Sequence, residues 1–349
     1  MPTLVRRPAR RNAAAVTAAA FLVACGPVPW SRGPDLDLRP PVIEGVSATG
    51  PQSIEVAFDE DAGLDAGTLR IEPALEVRAV SPPGRTVTIG VDTQVPGREY
   101  CMEATARDDR GNSTTFLAAF HGFNDRVPRA IVNELSPRGS TDHPDLVELK
   151  MLTDGDMGGL VLYAGTRSNF DAWLVFPSFE VRRGSFIVVH CRPTGDPSEV
   201  DETGDVAASG GVDASPSVRD FWLHGCSGLG GNNGVISVYE RPGGPILDGL
   251  LYSNRTSGSD ERYRGFGSSD VLERAEELAR DGGWRTAGAL VAPEDGIDPD
   301  GSTATRSICR SSASLDTDTK ADWHIVPTRG WTFGAENSDE EYAPATPAP

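Results

Sequence analysis

Between Arg129 and Cys191 the chain carries five short apolar runs in succession: RAIVNEL (129–135), DLVELKM (145–151), GLVLYAG (159–165), WLVFP (173–177) and SFIVVHC (185–191). Each is rich in Val, Ile, Leu and aromatics and is bounded by Gly, Pro, Asp or Ser. Strands repeated at that spacing specify an all-β sandwich or barrel. The same punctuation governs the stretch from Pro41 to Asn124. There PVIEGVSAT, SIEVAFDE, TLRIEPAL, TVTIGV, REYCMEATARD and TTFLAAFHG are separated by turn residues such as Thr49-Gly50-Pro51, Ser81-Pro82-Pro83-Gly84 and Asp109-Arg110-Gly111-Asn112. Six or seven strands in about 80 residues is the spacing of a small immunoglobulin-like sandwich. At 349 residues the chain is long enough for two domains. Asn124-Asp125-Arg126-Val127-Pro128 is then a short linker, and a semi-rigid pair of sandwiches is expected.

The order of side chains in the second region carries a family resemblance. Asn133-Glu134 closes the first run, Val147-Glu148-Leu149 fills the second, Gly159-Leu160 opens the third, and Phe176-Pro177 precedes Arg183-Gly184 and the apolar Phe186 to Val189. Further on come Gly234 to Tyr239, Ile246-Leu247-Asp248, Trp323, Pro327-Thr328-Arg329-Gly330 and Asn337. The series resembles the lamin-tail domain, an immunoglobulin-like β-sandwich. That resemblance implies a scaffold without a catalytic set, here over 129–337. In the upstream region, Tyr100-Cys101-Met102-Glu103-Ala104 followed by Asp108 and Gly111-Asn112 resembles the closing hairpin of bacterial Ig-like modules.

The first 24 residues read as an export leader. Arg6, Arg7, Arg10 and Arg11 precede an apolar run from Ala13 to Val23 that ends at Ala24-Cys25, the layout of a secretory signal. The run is too short to span a bilayer. Leu22-Val23-Ala24-Cys25 resembles the bacterial lipobox, which implies lipidation at Cys25 and attachment to a membrane through that lipid. Residues 25–40, rich in Pro, Gly, Arg and Asp, read as a tether. The location implied is the bacterial cell envelope, at the outer membrane or cell surface.

Charge narrows the partners. The chain has 51 acidic and 32 basic residues, net −19, and loss of the four leader arginines takes the remainder to −23. Nucleic-acid binding depends on clustered Lys and Arg, so no nucleic-acid partner is expected. Of the five cysteines, Cys101, Cys191, Cys226 and Cys309 lie outside the leader. An even set in an exported chain suggests disulfides. Cys191 and Cys226 flank one insertion and are the preferred pair, with Cα atoms expected within about 7 Å.

Two segments interrupt the lamin-tail pattern. Residues 192–220 are polar and acidic and read as a long loop. Residues 253–302 contain a helix signature: Asp270 as cap with Glu273 three residues on, a stripe of Val271, Leu272, Ala275, Leu278 and Ala279, and Gly282-Gly283 as the stop. The stripe is expected to pack on the sandwich. The tail over 338–349, acidic and then rich in Pro and Ala, is expected to be disordered.

Candidate chemistry is sparse. Asp154-Gly155-Asp156 and Asp295, Asp298, Asp300-Gly301 are oxygen-rich, but neither completes the twelve-residue calcium spacing, and Asp and Gly are also ordinary turn residues. His190-Cys191 with His224 and Cys226 offers zinc ligands, yet neighbours on a strand point to opposite faces. No phosphate loop, dinucleotide fingerprint, His-Glu-x-x-His or Gly-x-Ser-x-Gly is present. No metal, cofactor or catalytic residue is therefore expected.

The residues that stand out are Tyr252, Arg255, Arg262, Tyr263, Arg264 and Phe266. Aromatics interleaved with arginine have the composition of a contact surface. The alternative is an Arg-carboxylate network fastening the insertion to the sandwich, slightly the favoured of the two. The function expected is a structural, adhesive or binding role toward an envelope component, a polysaccharide or a host surface. The rival is an envelope hydrolase of glycans or phosphoesters with a carboxylate site in the insertions, which carboxylates in a cleft beside Trp222 or Trp284 would mark.

Overall fold

Alternation along the strands decides the architecture. In the computed structural model, which describes residues 37–344, the first domain has β1 (Ile43–Gly50), β2 (Ser53–Leu64), β3 (Arg70–Glu72), β4 (Val77–Val80), β5 (Gly84–Val91), β6 (Glu99–Arg107) and β7 (Ser113–His121). Ile54, Val56 and Phe58 of β2 and Tyr100, Met102, Ala104 and Ala106 of β6 are buried at every second position, the period of a half-buried strand. β2 runs through both layers. Its first half pairs with β1 and β5, an irregularity follows between Ala57 and Ala62, and Gly63 and Leu64 then pair with β6. The two layers close on a core that includes Val87, Ile89 and Phe120.

The second domain contains β8 (Ala130–Ser136), β9 (Leu146–Met151), β10 (Gly155–Asp156), β11 (Val161–Gly165), β12 (Phe170–Val175), β13 (Glu180–Val181), β14 (Phe186–His190), β15 (Arg219–Trp222), β16 (Asn233–Tyr239), β17 (Ile246–Ser253), helix α1 (Ser269–Asp281), β18 (Ile308–Arg310) and β19 (Trp323–Ile325). A four-stranded sheet, β12-β11-β16-β17, and a six-stranded sheet, β15-β14-β9-β8-β18-β19, share one apolar core. Val132, Val147, Leu149, Ile187 and Val189 from the larger sheet and Leu162, Ile236 and Leu250 from the smaller are all within 1% of full burial. At about 1.5–3 kcal/mol for each such side chain, this core is the main source of the domain's stability. The protein is thus all-β, with one helix among the described residues.

The junction is tight because three glycines meet there. A Cβ on Gly97 would lie 1.8 Å from the nitrogen of Gly159, and one on Gly158 would lie 2.5 Å from the carbonyl oxygen of Pro96. Asn124 of the linker donates to the carbonyls of Asp156 and Gly158 at 2.7 and 2.8 Å. The described residues from Pro40 onward accordingly form one unit.

Several expectations are corrected. The N-cap of α1 is Ser268, whose Oγ accepts from the Val271 N–H at 3.3 Å; Asp270 lies inside the first turn. The stop at Gly282-Gly283 is as expected: Gly282 closes the helix at φ +87°, with its N–H on Ala279 O and the Gly283 N–H on Leu278 O, the αL stop that glycine permits without a Cβ clash. Residues 338–342 are not loose. Asp339 accepts from the Ser312 N–H and Oγ at 2.7 Å each, the Tyr342 N–H donates to Ile325 O, and Arg306 lies 4.1 Å over the Tyr342 ring. The leader over 1–24, Cys25, most of the tether and residues 345–349 lie outside the described residues.

Candidate functional site

One face of the six-stranded sheet packs on the core; the other is also buried, and there polar residues stand among apolar ones such as Leu146, Val188 and Trp222. Glu134 on β8 and Glu148 on β9 sit opposite one another in register and are fully buried. Glu134 accepts from Ser307 Oγ at 2.5 Å, Thr332 N–H at 2.9 Å and Thr332 Oγ1 at 2.8 Å. Glu148 accepts from Asn133 Nδ2 at 2.8 Å and the Gly334 N–H at 2.5 Å. Asn337 completes the group, donating to the carbonyls of Asn133 and Arg310. Residues 332–337 thus form a strap clasped by two carboxylates. Burial, and then the facing Glu134, push Glu148 well above the usual carboxylate range; burial raises Glu134 as well.

At the edge of the sandwich, Arg310 is fully buried. Its Nε donates to Val132 O at 2.8 Å and its Nη1 to Leu315 O at 2.9 Å. Nη2 lies 3.2 Å from Asp248 Oδ2, Nη1 3.0 Å from Asp316 Oδ1, and the guanidinium 4.6 Å over the Trp323 ring. The irregularity between Val132 and Glu134 in the β8–β9 pairing accompanies these bonds: Val132 gives its N–H to Asp248 and its carbonyl to Arg310. Asp248 belongs to β17 and Arg310 to β18, so this pair bolts the two sheets together. Asp248, Asp316 and Asp318 converge closely enough to suit a cation, but Arg310 already supplies positive charge there.

The insertion after β14 leaves and returns in parallel register, with Ile187 beside Arg219 and His190 beside Trp222. His190 Nε2 is 2.8 Å from Asp220 Oδ1, and its ring stacks on Trp222 with centroids 3.9 Å apart. Cys191, on the opposite face, enters the apolar core with Cys226. His190 and Cys191 therefore cannot share an ion, as the strand period requires. Cys191 and Cys226 occur as buried free thiols, so the preferred disulfide is not formed between them here. Burial, and then the neighbouring Cys226, raise the Cys191 thiol well above its usual value, the opposite of an activated nucleophile.

The carboxylates considered for calcium are committed to turns. Asp156 accepts from the Gly158 N–H and Ser178 Oγ, and Asp154 from the Arg183 N–H. Asp295 accepts from the N–H groups of Ala287 and Ala292, and Asp300 from Arg138 and Asn254. Trp222 and Trp284 are buried in the body of the domain.

The Tyr252 to Phe266 stretch is mostly fastened down, which corrects the contact-surface reading for four of its six residues. Tyr252 and Phe266 are each 1% exposed. Arg255 Nε donates to Gly265 O at 2.6 Å, and Arg264 pairs with Glu276 of α1 at 2.5 Å. Asp260 gathers the loop by accepting from the N–H groups of Tyr263 and Gly267. Arg262 is exposed and lies 5.0 Å over the half-buried Tyr263 ring, leaving these two facing outward.

Sequence reasoning missed Arg310, Asp248 and the Glu134–Glu148 clasp. Their signal was present as charged residues inside strands otherwise made of Val, Ile and Leu. A polar alternate face reads as solvent-facing unless the segment that covers it is known.

What this arrangement does chemically is hold segments in place: the buried ionisable groups described above are engaged by side chains and backbone of the same chain. Comparison with known proteins agrees in extent with the second domain. An uncharacterized protein of Treponema pallidum (strain Nichols) is 30% identical over 162 residues, 45% of this chain. The match covers 40% of that relative, so the chain spans well under half its length. A family described as a protein second domain, TP_1001_2nd, matches residues 128–325, more than half of the chain and the whole span from β8 to β19. The chain belongs to the TP_1001_2nd protein second-domain family.

Proposed function

We propose that this is a lipid-anchored protein of the bacterial cell envelope that acts by binding, displaying a lamin-tail-like sandwich on an Ig-like stalk. The observation that carries the reading is the fate of the buried carboxylates. Glu134, Glu148 and Asp248 are spent on clasping the strap and bolting the sheets, and a group so engaged stabilises a scaffold. Recognition then falls to what such a scaffold presents at its surface.

Anchoring rests on the Leu22 to Cys25 box. In a bacterial host, Cys25→Ser is expected to abolish metabolic labelling with palmitate and leave the precursor uncleaved; unchanged labelling would refute it. The binding role is tested by retention of the domains from Pro41 onward on detergent-solubilised envelope. Arg262→Ala with Tyr263→Ala removes the two of the six singled-out residues that are not fastened down. It is expected to weaken retention severalfold while shifting the thermal transition by no more than the change typical of surface sites, about 0.5 kcal/mol. Turnover of a glycan or phosphoester by the purified protein would overturn the reading.

A further inference from the structure

The small sheet has an outward face that does not belong to the core. Tyr163 on β11 and Trp173 on β12 are register partners, and their rings lie 5.9 Å apart at 18°. Phe170 lies 5.7 Å from Trp173 at 27°. Tyr163 is buried, but Trp173 leaves 45% of its surface in solvent. β12 is also the edge of its sheet, so the exposed ring is reachable from the side as well as from above.

Trp173 forms one wall of a cleft of about 530 Å³ at the junction of the two domains, within the size range of small-ligand sites. Across from it, the first domain contributes Arg98, Glu99 and His121. Glu99 and His121 are register partners at the β6–β7 edge. The Gly97–Gly159 contact that joins the domains also borders the cleft, setting its width from backbone atoms and not from mobile side chains. A held aromatic ring on one wall and a donor, an acceptor and an imidazole on the other make an amphipathic slot.

We infer that this slot binds a neutral oligosaccharide, one sugar ring lying on Trp173 with its hydroxyls bracketed by Arg98, Glu99 and His121. A pyranose has an apolar C–H face and a rim of hydroxyls that both donate and accept, so it matches both walls at once. An aromatic ring already ordered by its neighbours loses little entropy on stacking. The chain's net charge of −19 repels an anionic glycan and leaves a neutral one unaffected. The inference rests on the binding role proposed above and adds to the Arg262–Tyr263 loop a second contact, lined by other residues, for a glycan.

The test titrates the domains from Pro41 onward with maltohexaose, cellohexaose and chitohexaose by calorimetry, in parallel with retention on solubilised envelope. The expected result is saturable binding of at least one oligosaccharide. Trp173→Ala should weaken it about tenfold or more, and Trp173→Phe should restore part of it. A proline-rich peptide that competes for the same tryptophan, in the absence of sugar binding, would overturn the glycan assignment. So would equal sugar affinity in the wild type and Trp173→Ala. Retention on envelope without binding of any of the three sugars overturns the slot alone; failure of both overturns the binding role with it.

Discussion

Arg310→Met is expected to lower the unfolding temperature of the second sandwich by roughly 10 °C. The substitution keeps an unbranched apolar stem but removes the guanidinium over Trp323 and, among the described residues, the only cation paired with Asp248, Asp316 and Asp322. Breaking a buried ion pair from one side costs about 3–5 kcal/mol, because the remaining charge is left without compensation. In a domain of this size each kcal/mol moves the transition by about 2–4 °C. Two backbone carbonyls, of Val132 and Leu315, lose their donor as well. Thermal scans checked against circular dichroism would measure the change; a shift under about 2 °C would show that the guanidinium is not the bolt between the sheets.

The same pair sets a pH dependence. Burial raises the Asp248 carboxyl from 3.8 to about 7 although Arg310 opposes the shift. A carboxyl raised on folding favours the protonated folded state. The stability it contributes is therefore fully present below about pH 4 and is lost as pH rises through about 7. Asp248→Asn removes that titration, so the difference in stability between wild type and variant should change across this window and be flat outside it.

The second large effect is expected at the clasp. Glu134→Ala deletes both oxygens that hold Ser307 and Thr332 and leaves the Thr332 N–H without that acceptor. An unsatisfied buried donor costs about 1–3 kcal/mol, with more lost from bonds to a charged acceptor. The energy is local to residues 332–337, so the strap should open before the sandwich unfolds. Hydrogen exchange in that segment should accelerate at least tenfold, the equivalent of about 1.4 kcal/mol, while β9 and β14 remain protected. Unchanged exchange would mean that Asn337 and the Gly334 N–H hold the strap without Glu134. Glu148→Ala should give a smaller effect, since it loses one backbone contact to the strap and one to Asn133.

The sequence by itself determined the longer strands, their inward residues and the stop of α1, but not the short β4, β10 and β13 nor β15, which begins inside the segment expected to be a loop. Those features are local: alternation in Val147, Leu149 and Met151 names one face of β9, and Gly282 ends a helix by its own φ. Local periodicity says which side chains share a face, but it is silent on what covers that face. By the same period Glu134, Glu148 and His190 fall on the face opposite the core. They are buried because residues 192–220 and 332–337, which carry no period, fold back over them. The same reasoning separates the two readings of the 252–266 loop. Its composition suited either a contact surface or a fastening network. Only the placement of Gly265 O, Glu276 and the core around Tyr252 tied Arg255 and Arg264 to the chain, buried Tyr252 and Phe266, and left Arg262 exposed over the half-buried Tyr263. Which of two facing surfaces a polar side chain meets is decided by contacts over a hundred residues apart in the chain, as between Arg310 and Val132, and that information exists only in the tertiary structure.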